Sequence, residues 1–415
     1  MKILLCAFYF PPAGGGGVQR PLKFAHHLPQ LGIETHVLAP SDPKWIHRDE
    51  TLPLPPLARI HRAPFFGPRG RLPAEELYGR RGLDLRLRQL ALTPRRLLVP
   101  DENIPWSLTA IPAAARIVAA EGIDVVMTTS PPSSIHLVGA ALKRLTGVRW
   151  VADLRDSIVA HADRRFERRS VLLKERTHRA VARVVARRAD AVVTVTEKIA
   201  DEMGELRTRG AVTVIPNGCD FDDFADLSYE RSDRFRITHT GSFFGTRDPR
   251  PFLTALADSD LDVVARFVGD FRLADRKWAE ALQLDGRLEL VPFVPHRRAL
   301  ELQRNSEALL LLLPDVGERG RDVPSGKLFE YLAASRPILA AVPPDGAAAK
   351  LVREAANGIV VPPTDPALIR AALADLEDRW RTGSLSDTPV SAEMRKRLSR
   401  ESRVAELGRV LQELR

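Results

Sequence analysis

Between Ala308 and Ala341 the chain runs through six apolar residues ended by Pro314, a charged loop, a short amphipathic stretch, and a second apolar run after Pro337. A continuous apolar run this short fits a strand of a parallel sheet covered on both faces, and parallel strands need a crossover, here a helix. The order is strand, loop, helix, strand, which constrains the fold to an α/β architecture. Ser325 is placed to cap the helix, Lys327 to Ala334 form its body, and Pro337 stops it. A helix N-terminus then stands at the carboxyl end of a strand, where open α/β sheets bind ligands. The backbone N–H groups around Gly326, Lys327, Leu328 and Phe329 favour an anion, most simply a phosphate, and Lys327 adds a full positive charge. Glu330, about one turn further in, carries a carboxylate suited to two vicinal hydroxyls such as those of a ribose. Asp322 stands eight positions before Glu330, on the loop side. Together these suit a nucleoside diphosphate sugar, although an ordinary βαβ segment with solvated Lys and Glu fits the same letters.

At 415 residues the chain predicts two domains of roughly 200 residues each, and a hydrophobic fraction of 44% supports a globular protein. A net charge of +9 suits anionic partners: nucleotide donors, acidic membrane surfaces or nucleic acid. Only ten of the 62 basic residues are lysine, so an arginine-rich composition accounts for the charge equally well. Cys6 and Cys219 are the only cysteines and imply neither a disulfide framework nor a thiolate metal site. The apolar start from Met1 to Phe10 runs into Pro11-Pro12 and a glycine loop, which reads as a first strand and not as a signal peptide. No apolar stretch reaches the roughly 20 residues that span a bilayer, so a cytoplasmic or peripheral protein is expected.

From the front, Ile3 to Phe10 reads as a strand, Pro11 to Gly17 as its loop, Val18 to Leu31 as a helix, and Thr35 to Pro40 as the next strand. Four glycines before a helix let the backbone approach a ligand and form an anion nest, although G-x-G-x-x-G is not matched. Residues 41–105, rich in Pro and Arg, predict an irregular insertion: either a basic flap facing acceptor or membrane, or a plain surface elaboration. Within it, Leu83 to Leu92 fits helix and strand templates alike. Helix Ala110 to Glu121, strand Asp124 to Thr129, the loop Ser130 to His136 and strand Arg149 to Asp156 follow. The strand-end rule places His136, Asp153, Arg155 and Asp156 with the glycine loop, whether as catalytic groups or as structural pairs. Arg164 to Arg188 reads as a long basic helix. Asp220 and Asp222 have metal-pair spacing but begin a linker, where a metal role is disfavoured. Strand Ile237 to Thr240 leads into a loop from Gly241 to Arg247; Gly269-Asp270 and Phe293 to His296 are placed to line a base pocket. The terminal helix, Ser402 to Leu414, carries Val404, Leu407, Val410, Leu411 and Leu414 as one apolar stripe.

The two acids Asp322 and Glu330, the glycine loop after the first strand, the run from TSPPSSIHLVG to WVADLRDS, and Pro216-Asn217-Gly218 recur in an order that resembles retaining glycosyltransferases of the GT-B fold, family four. In that family two glutamates stand at this spacing; here Asp322 replaces the first. The resemblance implies two Rossmann-like domains facing across a cleft. Residues 1–216 form the acceptor-side domain with its insertion at 41–105, 217–235 a linker, 236–390 the nucleotide-sugar domain, and 391–415 a tail whose helix returns to the first domain. It implies that Asp322 faces the donor sugar and Glu330 the ribose. Gly16, Gly17, Gly241, Ser242, Arg247, Ser325, Gly326, Lys327, Leu328 and Phe329 would hold the donor. Asp322, Asp156 and His136 form the implied catalytic set, with Arg20, Asp153 and Arg155 on the acceptor side. The implied activity is metal-independent hexosyl transfer, without cofactor, from a UDP- or GDP-sugar to a sugar or lipid-linked acceptor in cell-surface polysaccharide, glycolipid or glycoconjugate synthesis. It would take place in the cytoplasm or on the inner membrane face. Two rival readings are a GT-B nucleotide-sugar epimerase and a basic nucleic-acid-binding protein, the latter without any recognisable binding motif.

Overall fold

The computed structural model describes residues 1–41, 47–68, 81–91, 95, 97–159, 169–243, 246–284, 286–315, 321–322 and 324–414. The chain divides into two compact units, Met1–Pro216 with Glu401–Arg415, and Asn217–Arg400.

The first unit is built on seven strands: β1 (Lys2–Ala7), β2 (Glu34–Pro40), β3 (Arg59–Ala63), β4 (Val125–Ser130), β5 (Arg149–Leu154), β6 (Ala191–Thr194) and β7 (Ala211–Val214). Their order is β3-β2-β1-β4-β5-β6-β7, with every pairing parallel. Successive side chains of a strand point to opposite faces, and both faces of β1 are covered. Ile3 and Leu5 pack with Leu22, Phe24 and Leu28 on one side, while Leu4 and Cys6 pack with Trp106, Val126 and Val138 on the other. That double burial is why β1 reads as a continuous apolar run.

Two expectations change here. The segment 41–105 is not uniformly irregular, because it supplies β3, the sheet's edge, in register with β2 through Val37 and Ile60. An edge strand half in solvent mixes Arg and His with its apolar residues, so β3 lacks the apolar signature of a buried strand. The ambiguous leucine-rich stretch is helix Gly82–Ala91; residues 42–46, 69–80, 92–94 and 96 of the insertion lie outside the described residues. The expected helix from Val18 to Leu31 is α-helical only over Gln19–His27 and tightens to a 3₁₀ turn at Leu28–Leu31, where Pro29 enters. The long basic helix is seen from Arg169 to Arg188, and residues 164–168 of its expected start lie outside the described residues.

The second unit has six parallel strands: β8 (Phe235–Thr240), β9 (Val263–Val268), β10 (Leu288–Val291), β11 (Ala308–Leu312), β12 (Ile338–Ala341) and β13 (Gly358–Val361), ordered β10-β9-β8-β11-β12-β13. Residues 217–235 and 391–400, expected as linker and tail, pack inside this unit. The Cys219 N–H donates to the Leu398 carbonyl at 3.0 Å and Arg400 pairs with Asp220 at 2.8 Å. Gly218 makes this approach possible, since a Cβ there would meet the Leu398 carbonyl oxygen at 2.5 Å. Helix Arg400–Glu413 then delivers Val404, Leu407, Val410 and Leu411 into the core of the first unit.

Candidate functional site

In each unit the strand order reverses once, between β1 and β4 and between β8 and β11. A crevice opens at the carboxyl ends of such strand pairs because their connections leave on opposite faces of the sheet. Of the residues singled out in the sequence, Asp153, Arg155 and Asp156 stand at the end of β5, and the others named as catalytic, donor-binding or acceptor-side sit on the loops and helix starts that follow these four strands.

In the second unit, helix Gly326–Ala333 begins at Ser325 and ends against Pro337. Ser325 holds the cap position but not the expected capping bond: its φ is 69°, and its side chain makes no cap hydrogen bond. A non-glycine residue in this region costs on the order of 1–3 kcal/mol and persists where surrounding structure enforces it. The Leu328 N–H donates to the Ser325 carbonyl at 3.3 Å, so it is not one of the free donors expected at this helix end. Gly326 is exposed and Lys327 half-buried, whereas the Leu328 and Phe329 side chains are core.

Lys327 Nζ lies 3.0 Å from His239 Nε2, and His239 Nδ1 lies 2.9 Å from the Leu310 carbonyl of β11. Burial, then the nearby Arg247 charge, draws the Lys327 amine well below the usual lysine range, with Glu330 opposing. The Arg247 charge thus acts on the Lys327 amine. Gly241 has φ 113°, and a Cβ there would stand 2.3 Å from Lys327 Cε. Gly269, with φ 130°, packs back to back on it; a Cβ there would meet the Gly241 carbonyl carbon at 2.8 Å. Two glycines at adjacent strand ends thereby make room for one lysine. The Ser242 hydroxyl accepts from the Asp270 N–H at 3.0 Å, joining the loops after β8 and β9.

Glu330 accepts from Gln303 at 3.2 Å through one oxygen, and its other oxygen lies 3.2 Å from His296 Nε2. Burial works against ionisation, but the His296 bond and charge, Arg400 and Gln303 outweigh it and hold the carboxyl below the usual range. Gln303 also donates to the Thr240 hydroxyl at 3.0 Å, and Thr240 N–H donates to the Tyr331 hydroxyl at 2.8 Å. This network fixes the end of β8 to helix Gly326–Ala333 and to helix His296–Arg304, which carries Gln303. Asp322 is half-buried on the loop before Ser325.

In the first unit the expected acceptor-side pair is internal. Arg20 is 6% exposed and Asp153 fully buried. The guanidinium donates to the Asp153 carboxylate at 2.9 Å and to the Ile215 and Pro216 carbonyls at 3.0 and 3.2 Å. Thr129 adds a 2.6 Å bond to the same carboxylate. Two buried charges so matched hold helix Gln19–His27 to β5 and to the end of the unit, and they are not displayed to an acceptor. Arg155 donates to the Gly17 carbonyl at 2.6 Å, bracing the glycine loop, in which Gly16 is exposed and Gly17 half-buried. His136 is fully buried rather than facing outward. Its Nδ1 is 2.9 Å from the Thr128 hydroxyl, and Nε2 has no partner. Burial lowers its pKa to about 4, which leaves it neutral. Asp156 is exposed, with no side-chain hydrogen bond among the described residues.

The sequence reading missed His239, Gln303, Tyr331 and Asp101. Asp101 accepts from Ser134 N–H at 2.8 Å and from the Ser133 and Ser134 hydroxyls, shaping the loop after β4. Asp220 and Asp222 are matched by Arg400 and by Arg395, the latter at 3.1 Å. Glu34, His36 and Glu121 bring ligand atoms within 4.8 Å of one another, with Lys2 and Arg59 against the two carboxylates. Because Glu34 and His36 open β2, this group stands at the amino ends of the strands, away from the loops above.

Residues 15–218, nearly the whole first unit, match the family model of the glycosyl transferase 4-like domain. No curated protein sequence matches the chain. Sucrose-phosphate synthase from Thermosynechococcus elongatus is similar in structure, with a TM-score of 0.68 at 16% identity, covering 100% of this chain and 98% of that one. Anabaena HepE in complex with UDP-glucose has a TM-score of 0.62 at 15% identity and 100% coverage of both chains. An α,α-trehalose-phosphate synthase (UDP-forming) from Burkholderia xenovorans, in complex with glucose-6-phosphate, has 0.59 at 14%, covering 100% of this chain and 99% of that one. At these identities the likeness bears on fold, and it extends over both units. With the glycosyl transferase 4-like domain at residues 15–218 of its first unit and the same two-sheet architecture as these structures throughout, the chain has the GT-B fold.

Proposed function

We propose that the chain transfers a hexose from a nucleoside diphosphate sugar, most simply a UDP-sugar, to a hydroxyl acceptor with retention of anomeric configuration and without a metal. The observation that carries the reading is the convergence of Lys327, Arg247, the Gly241 loop and Glu330 at the reversal point between β8 and β11. Cations and free helix N–H groups there match a diphosphate, and Glu330 stands one turn on, at the distance of a ribose. The structural likeness to proteins seen with UDP-glucose and with a sugar phosphate is consistent with such a donor and acceptor.

In this reading the sugar C1–oxygen bond to the diphosphate breaks as the acceptor oxygen bonds C1 from the same face. A diphosphate oxygen takes the acceptor proton. Lys327, Arg247 and the Gly326 and Lys327 N–H groups stabilise the charge growing on the leaving group, the part a divalent ion plays elsewhere. A lipid-linked acceptor for cell-surface polysaccharide or glycolipid synthesis fits a surface on which Leu83, Leu87 and Leu90 of helix Gly82–Ala91 are 72%, 59% and 69% exposed beside Arg86. No helix among the described residues is long and apolar enough to cross a membrane.

The test is a thermal-shift screen of UDP- and GDP-sugars in EDTA, followed by transfer of the stabilising sugar to a panel of sugar and lipid-linked acceptors. A donor at about 100 times its dissociation constant adds about 2.7 kcal/mol of stability. The expected product keeps the donor's anomeric configuration with EDTA present. An inverted product, or turnover only with added manganese or magnesium, overturns the reading; release of an epimerised sugar without acceptor assigns an epimerase instead.

A further inference from the structure

His239 lies on β8, two residues before Gly241, and is fully buried. Its ring packs on Phe243 at 4.9 Å and Phe267 at 5.8 Å between centroids. The partner of its Nδ1 is the Leu310 carbonyl at 2.9 Å, and a carbonyl oxygen can only accept, so Nδ1 carries the hydrogen. Burial, then the Lys327 and Arg247 charges, holds the imidazole neutral. Nε2 therefore presents a lone pair, and Lys327 Nζ stands 3.0 Å from it. The ring is fixed by one neighbouring strand, and in turn it fixes the end of a four-carbon side chain that crosses from the next helix over Gly241.

We infer that His239 is a positioning residue: its Nε2 holds the Lys327 ammonium by one N–H and turns the other two toward the site of the donor's diphosphate. This deepens the reading of the β8/β11 end as a diphosphate site and rests on it. An ammonium has three donors and no preferred direction of its own. With one donor anchored in a dry pocket, the remaining two are aimed before the phosphates bind, and less order has to be imposed on binding. The other charged groups around Lys327 cannot do this. Arg247 is a cation and has no acceptor to offer, and among the described residues the Glu330 carboxylate bonds His296 and Gln303 and makes no hydrogen bond to Lys327.

The experiment compares wild type with His239→Phe, His239→Gln, Lys327→Met and the double variant His239→Phe with Lys327→Met. UDP and uridine are titrated by calorimetry and by displacement, or GDP and guanosine where the wild type prefers them. Loss of one hydrogen bond to a charged group predicts that His239→Phe weakens diphosphate binding by about tenfold to a hundredfold and leaves the nucleoside unaffected. Gln, which keeps one donor and one acceptor, should recover much of the loss. In the Lys327→Met background, His239→Phe should add nothing, because the group it positions is gone. Equal weakening of nucleoside and diphosphate, or fully additive losses, overturns the inference and leaves His239 a core residue. Full diphosphate affinity in Lys327→Met removes the diphosphate site itself, and the inference with it.

Discussion

Glu330 already accepts from Gln303 and lies against His296, yet a carboxylate has about four lone-pair positions, so each oxygen keeps capacity for a ribose hydroxyl. Glu330→Gln retains size and helix propensity but replaces one acceptor oxygen by a donor that opposes either His296 or Gln303. UDP binding is therefore expected to weaken by roughly ten- to a hundredfold, with the fold intact. Wild type should discriminate against the 2′-deoxy and 3′-deoxy forms of UDP, and the Gln variant much less. Identical discrimination in both proteins would mean that this carboxylate does not touch the sugar hydroxyls. Lys327 and Glu330 were legible in the sequence because a helix start after a buried strand gives charged residues a defined direction. His239 was not legible: a lone polar residue in an apolar strand looks like a satisfied core histidine until its two nitrogens are seen to join Leu310 and Lys327. His136 shows the reverse, a residue whose position after a strand-end loop suggested exposure, while the structure buries it in the first turn of helix Ile135–Thr146 against Thr128.

The elements that carry the site are joined by close backbone approaches that tolerate little substitution. At Gly241 a Cβ would collide with Lys327 at 2.3 Å, and φ of 113° disfavours any side chain. Gly241→Ala is expected to cost on the order of 1–3 kcal/mol in urea unfolding and at least tenfold in UDP affinity, because Lys327 must leave its place. Gly16 is the contrast: a Cβ there meets nothing within 4 Å, and Gly16→Ala should change stability by less than about 0.5 kcal/mol. A Gly241→Ala protein with wild-type stability and UDP affinity would show that the lysine has room elsewhere. Glycine runs were visible in the sequence as loops that admit a ligand. Which glycine makes room for a protein side chain depends on the helix packed across it, and that is a matter of distant partners.

Across the whole molecule the chain crosses between units twice, at Pro216–Asn217 and again at Arg400–Glu401. The last helix completes the first unit's core, where Leu407 is fully buried. Leu407→Ala should destabilise that unit by about 2–5 kcal/mol, seen as an earlier calorimetric transition, while UDP affinity at the second unit stays unchanged. Loss of UDP binding at temperatures where the second unit is still folded would tie the donor site to the first unit's integrity. The family resemblance implied the first crossing, near residue 216; the sequence by itself determined the α/β class, the helix that bears Lys327 and Glu330, and the strand before it. These rest on short-range patterns: continuous apolar runs for doubly covered strands, 3.6-residue periodicity for helices, and proline or glycine at their ends. Tertiary structure alone decided that β3 is the edge of the first sheet, that residues 391–400 pack in the second unit, and that Arg20 and Asp153 neutralise each other internally. It also decided that His239 reaches Lys327. Each of these depends on pairing between residues far apart in the chain, and the energy of a buried charge or an edge strand is set by what lies across from it, which local sequence does not contain.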